Sequence, residues 1–110
     1  MNKYAWKIGQ PYVFSVPPGW IIGGTVTEVF EDFIVLQDAV YFEGIKDGAS
    51  AMGSYPTATT VAELEKASAR NWPLADGYLL NVGFISHAAP ARMSFERVAK
   101  RDKANALKGA

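Results

Sequence analysis

The sequence predicts a mainly β protein: a small antiparallel β-barrel with one internal helix and a basic C-terminal helical tail. Residues 4–42 are rich in β-branched and aromatic side chains and are interrupted by Pro and Gly, a pattern typical of short strands and turns. One helix-start signal follows at Thr60, and basic residues crowd positions 92–110. A chain of 110 residues is long enough for one core, so we expect one compact barrel with a tail.

Composition excludes several function classes. Eleven basic residues balance eleven acidic ones, which removes the overall positive field of most nucleic-acid and membrane-surface binders. The absence of cysteine excludes thiol nucleophiles, disulfides and iron–sulfur ligation, and a single histidine, His87, excludes a histidine-rich metal site. No apolar run approaches the ~20 residues of a membrane span, and no signal peptide follows Met1. We therefore expect a cytoplasmic protein that does not contact membranes.

The N-terminal part predicts a meander of short antiparallel strands. Pro17-Pro18-Gly19 forces a turn between strands at residues 11–16 and 20–30, because proline cannot donate a backbone hydrogen bond to a sheet. Gly23-Gly24, inside the second of these strands, predicts a bulge or a tight corner, because glycine permits close approach of neighbouring backbones.

Two further strands are expected, each preceded by a polar pair. Glu31-Asp32 reverses the chain into residues 33–36, a continuous apolar run typical of a strand buried on both faces. Gln37-Asp38 then turns the chain into a separate strand at residues 39–42. Because the links are short, these strands should pair in sequence order.

The second half of the barrel domain contains a long loop and a helix. Residues 44–60 are rich in Gly, Ala, Ser and Thr, and loops of this length are usually functional. Thr60 and Glu63 form a capping box that predicts a helix over residues 61–70. Asn71-Trp72-Pro73 should end this helix, and residues 78–85 should form a last strand that closes the barrel.

The barrel domain is expected to span residues 1–90, ended by Pro90, and the tail residues 91–110. Residues 92–110 hold six basic and two acidic side chains, whereas residues 28–47 hold six acidic ones and one lysine. Ser94 can cap a tail helix whose apolar stripe includes Phe95 and Val98. Opposite charges of this kind favour attraction between copies, and hence assembly.

No catalytic residue, metal ligand or cofactor is expected, so the sequence predicts a protein that is not an enzyme. Ser86 and His87 are strand neighbours whose side chains should point to opposite faces, which prevents proton sharing. Glu31, Asp32 and Asp38 lack the regular spacing of a calcium loop, so we interpret them as solvated turn residues.

Candidate contact residues lie in the loop and the tail. Residues 48–54 lack the Gly-Lys-Ser/Thr ending of a phosphate-binding loop, so a flexible loop is favoured, with a ligand site as the alternative. The loop candidates for ligand binding are Ser54, Tyr55 and Thr57. The tail candidates for contact with a partner protein or nucleic acid are Arg92, Arg97, Lys100, Arg101 and Lys103.

Residues 24–40 resemble the central strands of Sm-like small β-barrels, which share the SH3-like barrel architecture. Gly24 stands where that family opens a strongly bent strand, Val26 follows two residues later, and Glu31-Asp32 leads into an apolar run ending at Gln37-Asp38. The chain also looks like short bacteriophage proteins of this barrel type. The resemblance implies an Sm/SH3-like barrel that assembles through its edge strands, but Phe30 and Ile34 stand where the family has an acidic and a base-contacting residue, so its RNA-binding residues do not carry over.

These observations favour a non-enzymatic, phage-related assembly protein that forms a homo-oligomer or joins a larger protein assembly. It would then act in the host cytoplasm or in the virion. The alternative is an Sm-like RNA-binding module, or one that sequesters a small nucleotide.

Overall fold

The structure, a computed structural model, describes residues 5–17, 20–43, 68, 70–91 and 94–101. It confirms a mainly β fold, with six strands in one antiparallel sheet and one short α-helix. The strands are β1 Pro11–Val16, β2 Trp20–Val29, β3 Phe33–Glu43, β4 Arg70–Pro73, β5 Tyr78–Asn81 and β6 His87–Pro90; a 3-10 helix spans Val82–Phe84, and helix α1 spans 96–101.

The sheet has the order β4-β3-β2-β1-β6, and β5 pairs with β3 alongside β4. Among the described strands no pairing joins β6 to β4 or β5, so the sheet is open. Both β4 and β5 lie along one edge of β3, because β5 pairs with residues 33–36 and β4 with residues 40–43.

The hairpin of β1 and β2 confirms the predicted turn at Pro17. Val16 lies opposite Trp20, and the register continues to the pair Pro11 and Thr25. The predicted irregularity at Gly23-Gly24 is also confirmed, because the register between β2 and β3 shifts between Gly23 and Thr25. A second shift lies between Val26 and Glu28, so the pairing of β2 with β3 is irregular at two places.

The prediction of a turn at Gln37-Asp38 is wrong, because residues 33–43 form one continuous strand, β3. The extra residue of the bulge lies on β3, and Asp38 adopts a φ of 53°. Aspartate tolerates this left-handed conformation better than most residues, so the polar pair kinks the strand without reversing it. The kink is where the edge partner of β3 changes from β4 to β5.

The predicted helix over residues 61–70 lies mostly outside the described residues, and its predicted end is wrong. Ser68 is not helical, and Arg70 begins β4. The three residues interpreted as a helix stop, Asn71 to Pro73, are strand residues that pair with β3. Pro73 is compatible with this strand because β4 is at the edge of the sheet, where a missing donor is tolerated.

The prediction of one long strand over residues 78–85 is also wrong. Only Tyr78–Asn81 is strand, and the chain then forms the 3-10 helix. The Asn81 side chain accepts a hydrogen bond from the Gly83 N–H, an arrangement that caps a helical turn and competes with an extended chain. The chain then continues to β6, which pairs with β1 instead of completing a barrel through β5.

The sheet is buried on both faces, and neighbours on β2 point into different cores. Ile21 belongs to a cluster with Val13, Val40 and Phe42, whereas Ile22 belongs to the other cluster. The second cluster consists of Tyr12, Phe14, Ile22, Val26, Ile34, Leu36, Ala39, Leu80 and Ile85. Trp6 packs edge-on against Tyr12 with ring centroids 5.1 Å apart, so these two rings help to fill this core.

Helix α1 covers the Ile21 face of the sheet. Phe95, Val98 and Ala99 are buried in the cluster that contains Ile21. The Glu96 N–H donates to Ser94 Oγ at 3.0 Å, which confirms the predicted cap. The described part of the apolar stripe predicted for the tail therefore packs on the sheet of the same chain.

Candidate functional site

An apolar groove of about 650 Å³ lies between the end of the β1–β2 hairpin and the segment formed by β5 and the 3-10 helix. None of its nine lining residues is charged, and the Asn81 side chain and the Tyr78 hydroxyl are its polar groups. The lining residues are Val16, Pro17, Trp20, Ile22, Tyr78, Leu79, Leu80, Asn81 and Phe84.

The groove gathers half of the large hydrophobic side chains that are exposed in the described part of the chain. Six large hydrophobic side chains are exposed there, and three of them line the groove: Trp20 (46% exposed), Leu79 (60%) and Phe84 (65%). Single exposed hydrophobic residues are ordinary, but a contiguous set of them marks a surface that binds something.

Local sequence explains why Phe84 faces outward. Asn81 ends β5 in an extended conformation and accepts the Gly83 N–H at 2.8 Å, which starts the 3-10 helix. The Val82 N–H donates to the Asp32 carbonyl at 3.0 Å, and this bond fixes the helix to the β2–β3 turn. Ile85 then enters the core, so the preceding Phe84 is left at the surface.

A row of aromatic side chains continues the groove across β2, β3 and β4. Trp20 stacks on Tyr41 with ring centroids 4.7 Å apart and an interplanar angle of 24°. Trp72 lies opposite Tyr41 in the pairing of β3 with β4, and the Arg70 guanidinium lies 5.8 Å from the centroid of the Trp72 ring. The stack holds the Trp20 ring in one orientation at the wall of the groove.

Acidic residues lie close to the groove in the chain and in the sheet pairing. The Asp32 main-chain carbonyl accepts a hydrogen bond from Val82 of the 3-10 helix, and Asp76 precedes the lining residue Tyr78 by two positions in the sequence. Glu43 accepts a hydrogen bond from Trp72 Nε1 at 3.3 Å, at the end of the aromatic row. Arg70 lies on the same row, so the end of the row at Trp72 carries one carboxylate, that of Glu43, and one guanidinium.

The basic residues of α1 are not brought to the groove. Arg97, Lys100 and Arg101 are exposed on a helix that covers the Ile21 face, whereas the groove residue Ile22 belongs to the opposite face. The hydrogen bond and charge attraction between Glu96 and Lys100 lower the pKa of Glu96 and raise that of Lys100. Asp38 and Asp76 raise the Lys100 pKa further, so this part of the basic tail interacts with acidic groups of its own chain.

The other predicted contact residues lie outside the part of the chain that the structure describes. They are Ser54, Tyr55 and Thr57 of the loop, and Arg92 and Lys103 of the tail. Their roles stay predictions.

The expectation that Ser86 and His87 point apart is wrong, because Ser86 lies in a bend before β6. His87 Nδ1 is 3.2 Å from Ser86 Oγ. The Ser86 hydroxyl donates to the Ser15 carbonyl at 3.0 Å, so its proton is directed away from the ring. The hydrogen bond joins the start of β6 to β1. Because the Ser86 proton is donated to a carbonyl, His87 is not placed to accept it as a general base would.

Across the described ranges, no three Asp, Glu or His side chains come together as a metal site. Glu31 and Asp32 are exposed in the β2–β3 turn, and Asp38 lies in the bulge of β3. The same described segments include no helix with the length and apolarity needed to cross a membrane.

Sequence reasoning did not identify the groove. It assigned Trp20, Leu79 and Phe84 to strands, and the Asn81-Val82-Gly83 turn was the one local signal that Phe84 leaves the sheet. The two walls are about sixty residues apart in the sequence, and only the folding of β5 against β3 brings them together.

No known protein family, curated protein or solved structure matches this chain. The resemblance to Sm-like and bacteriophage barrels therefore stays a prediction, and function has to be argued from the groove itself.

Proposed function

We propose that this protein is a non-enzymatic interaction protein that binds other protein chains, and copies of itself in particular, through the apolar groove. The observation that carries this proposal is the clustering of Trp20, Leu79 and Phe84, three exposed hydrophobic side chains, around one concavity. Their removal from water on binding is the main driving force of protein association.

The groove has two properties of a protein-binding hot spot. Its largest side chain, Trp20, is already held by stacking on Tyr41, so little side-chain entropy is lost when a partner arrives. Its polar groups are few, and Asn81 Oδ1 already accepts a bond from its own chain, so little polar surface is desolvated without compensation.

Replacing Leu79 by aspartate tests this function. The exposed position of Leu79 allows the change without disturbing the core, and a charge in an apolar contact opposes association. We expect wild-type protein to form assemblies in light scattering, and Leu79→Asp to weaken them about tenfold or more.

The matched control is Ile8→Asp, because Ile8 is 64% exposed and does not line the groove. It introduces the same charge and should leave the mass unchanged. A wild-type protein that is monomeric at every concentration, or an assembly that ignores Leu79→Asp, contradicts the proposal.

We also propose that the sheet curls into an Sm/SH3-like small barrel, and that the protein is phage-related and acts in the host cytoplasm or the virion. The two register shifts between β2 and β3, the first of which contains Asp38, support strong curling. The connection from β5 through the 3-10 helix to β6 supports it too, because it runs from the edge partner of β3 to that of β1.

A second candidate function is the binding of RNA or a small nucleotide. The row of Trp20, Tyr41 and Trp72 favours it, since exposed aromatic rings stack on bases, and Arg70 supplies a cation beside the row. An ultraviolet spectrum recorded on the scattering peak separates the two candidates: excess absorbance at 260 nm that disappears in Trp72→Ala favours nucleotide binding, and a protein spectrum favours protein contact.

A further inference from the structure

We infer that the groove also binds a small ligand of one chemical class: a neutral, planar heteroaromatic ring that carries hydrogen-bond acceptors and stacks on Trp20. The inference goes beyond the proposed function, because it assigns a small-molecule site. One part of it rests on that function, namely that a ligand in the groove competes with the partner chain. The groove volume of about 650 Å³ lies within the range of ordinary small-molecule sites.

Trp20 offers this ligand a stacking surface. Tyr41 covers one face of the Trp20 ring, with ring centroids 4.7 Å apart and an interplanar angle of 24°. Trp20 is nevertheless 46% exposed and lines the groove. A planar ring in the groove therefore extends the stack of Tyr41 and Trp20 by one member. Such a ring gains more than an aliphatic group of the same area, because stacked aromatic rings attract each other beyond the effect of area burial.

The polar groups of the groove are available as hydrogen-bond donors. Asn81 Oδ1 already accepts the Gly83 N–H at 2.8 Å, which leaves the amide hydrogens of this side chain. The Tyr78 hydroxyl supplies a further hydrogen. Neither group donates to an acceptor within the described part of the chain. A ligand with carbonyl or ring-nitrogen acceptors provides the partners that these donors lack there.

The lining also selects for a neutral ligand. None of the nine lining residues is charged. A charged ring would lose its hydration in the groove without gaining an ion pair, whereas a neutral ring loses little. The charged groups of Glu43 and Arg70 contact Trp72 at the end of the aromatic row, and neither residue lines the groove.

Caffeine is a suitable probe, because it is neutral and planar and has acceptors but no polar hydrogen. The chain has three tryptophans, Trp6, Trp20 and Trp72, so their indole N–H signals in NMR spectra compare three places in one titration. In dilute, unassembled protein we expect caffeine to shift the Trp20 signal most, with a dissociation constant of about 1 mM or lower. Theophylline-7-acetate adds a carboxylate to the same ring system and should bind about fivefold more weakly or worse.

Two variants and a matched control locate the site. Trp20→Leu removes the stacking ring and keeps an apolar side chain, so caffeine should bind about tenfold more weakly or worse. Tyr78→Phe removes only the hydroxyl and should weaken binding about threefold. The control Phe30→Leu removes another aromatic ring of 46% exposure, outside the groove lining, and should leave binding unchanged.

Light scattering tests the competition. At concentrations where the wild type assembles, saturating caffeine should lower the molar mass toward that of the monomer, because ligand and partner chain occupy the same groove. Theophylline-7-acetate at the same concentration should have less effect.

The outcomes separate this inference from the proposed function. If the Trp20 signal does not move, or if Trp20→Leu binds caffeine as well as wild type does, the ligand site is overturned, while an assembly weakened by Leu79→Asp still supports the proposed function. If caffeine binds at Trp20 but the assembly is unaffected by both caffeine and Leu79→Asp, the ligand site is supported and the proposed function is overturned. An assembly weakened by Leu79→Asp but not by bound caffeine overturns the competition.

Discussion

Gly23 is required by close packing rather than by an unusual backbone conformation. A Cβ atom at this position would lie 2.5 Å from Cε1 and Cζ of the Phe95 ring, far inside van der Waals contact. Phe95 is completely buried and belongs to the segment that leads into α1. The missing side chain of Gly23 therefore leaves the space on the sheet that the Phe95 ring occupies.

We expect Gly23→Ala to destabilise the protein by about 1–3 kcal/mol, because the added methyl group overpacks this contact. In a Phe95→Val background the ring carbons that cause the clash are gone, so the same substitution should cost less than half as much. Urea unfolding of the four proteins of this cycle gives the coupling between the two sites. Equal costs in the two backgrounds would show that Phe95 does not pack on Gly23.

At the scale of the element, α1 depends on its docking surface. The described part of α1 is six residues long, and a stretch of this length does not form a helix in isolation, because nucleation is unfavourable and few hydrogen bonds repay it. Here Ser94 caps the first turn, Phe95, Val98 and Ala99 bury the inner face, and Glu96 pairs with Lys100 one turn on. The buried residues supply most of the stabilisation, since exposed ion pairs contribute little.

The Glu96–Lys100 pair makes a small contribution that depends on pH. The Glu96 pKa is lowered in the folded chain, so its contribution is present above the ordinary glutamate pKa and is lost as the pH falls through the lowered value. The Lys100 pKa is raised, so its contribution is lost only in strong alkali. We expect Glu96→Gln to be slightly less stable than wild type at pH 7 and equally stable once the pH lies below the folded Glu96 pKa.

The measurement is urea unfolding of both proteins at neutral and at acid pH, repeated in high salt. Screening should shrink the neutral-pH difference, because both side chains are exposed. A difference that persists unchanged at acid pH would mean that Glu96 acts through something other than its charge.

At the scale of the whole molecule, both faces of the sheet are covered within the described residues, and the groove is an opening on one of them. Helix α1 covers the Ile21 face of the sheet, and Trp6 and the segment of β5 and the 3-10 helix cover the Ile22 face. The groove lies on the Ile22 face, between this segment and the end of the β1–β2 hairpin. The tail that the sequence predicts as a separate basic element is thus divided: residues 94–101 contribute to the fold, and residues 102–110 lie outside the described part of the chain.

Two truncations test this division. Removal of residues 92–110 takes away Phe95 and Val98 and leaves Val13, Val40 and Phe42 without a cover, so we expect a loss of at least about 3 kcal/mol in the free energy of unfolding. Removal of residues 102–110 takes away none of the described residues of this cluster, so we expect it to cost less than the longer truncation. Equal stability of the two truncated proteins would contradict the packing of α1 on the sheet.

The sequence by itself determined the local features of this protein. The turn at Pro17, the bulge near Gly23 and the cap at Ser94 each depend on the conformational limits of a few adjacent residues, and each is present. Local sequence was not decisive where two conformations suit the same residues. Asp38 kinks a strand that the sequence predicts it to end, and Arg70 to Pro73 form an edge strand where the sequence predicts the end of a helix.

Only the tertiary structure decided where the groove lies and that residues 94–101 pack on the sheet. Trp20 and Leu79 line the same groove, and Phe95 packs on Gly23, although each pair is far apart in the sequence. Such contacts depend on which surfaces are buried together from water, and no local sequence pattern specifies that.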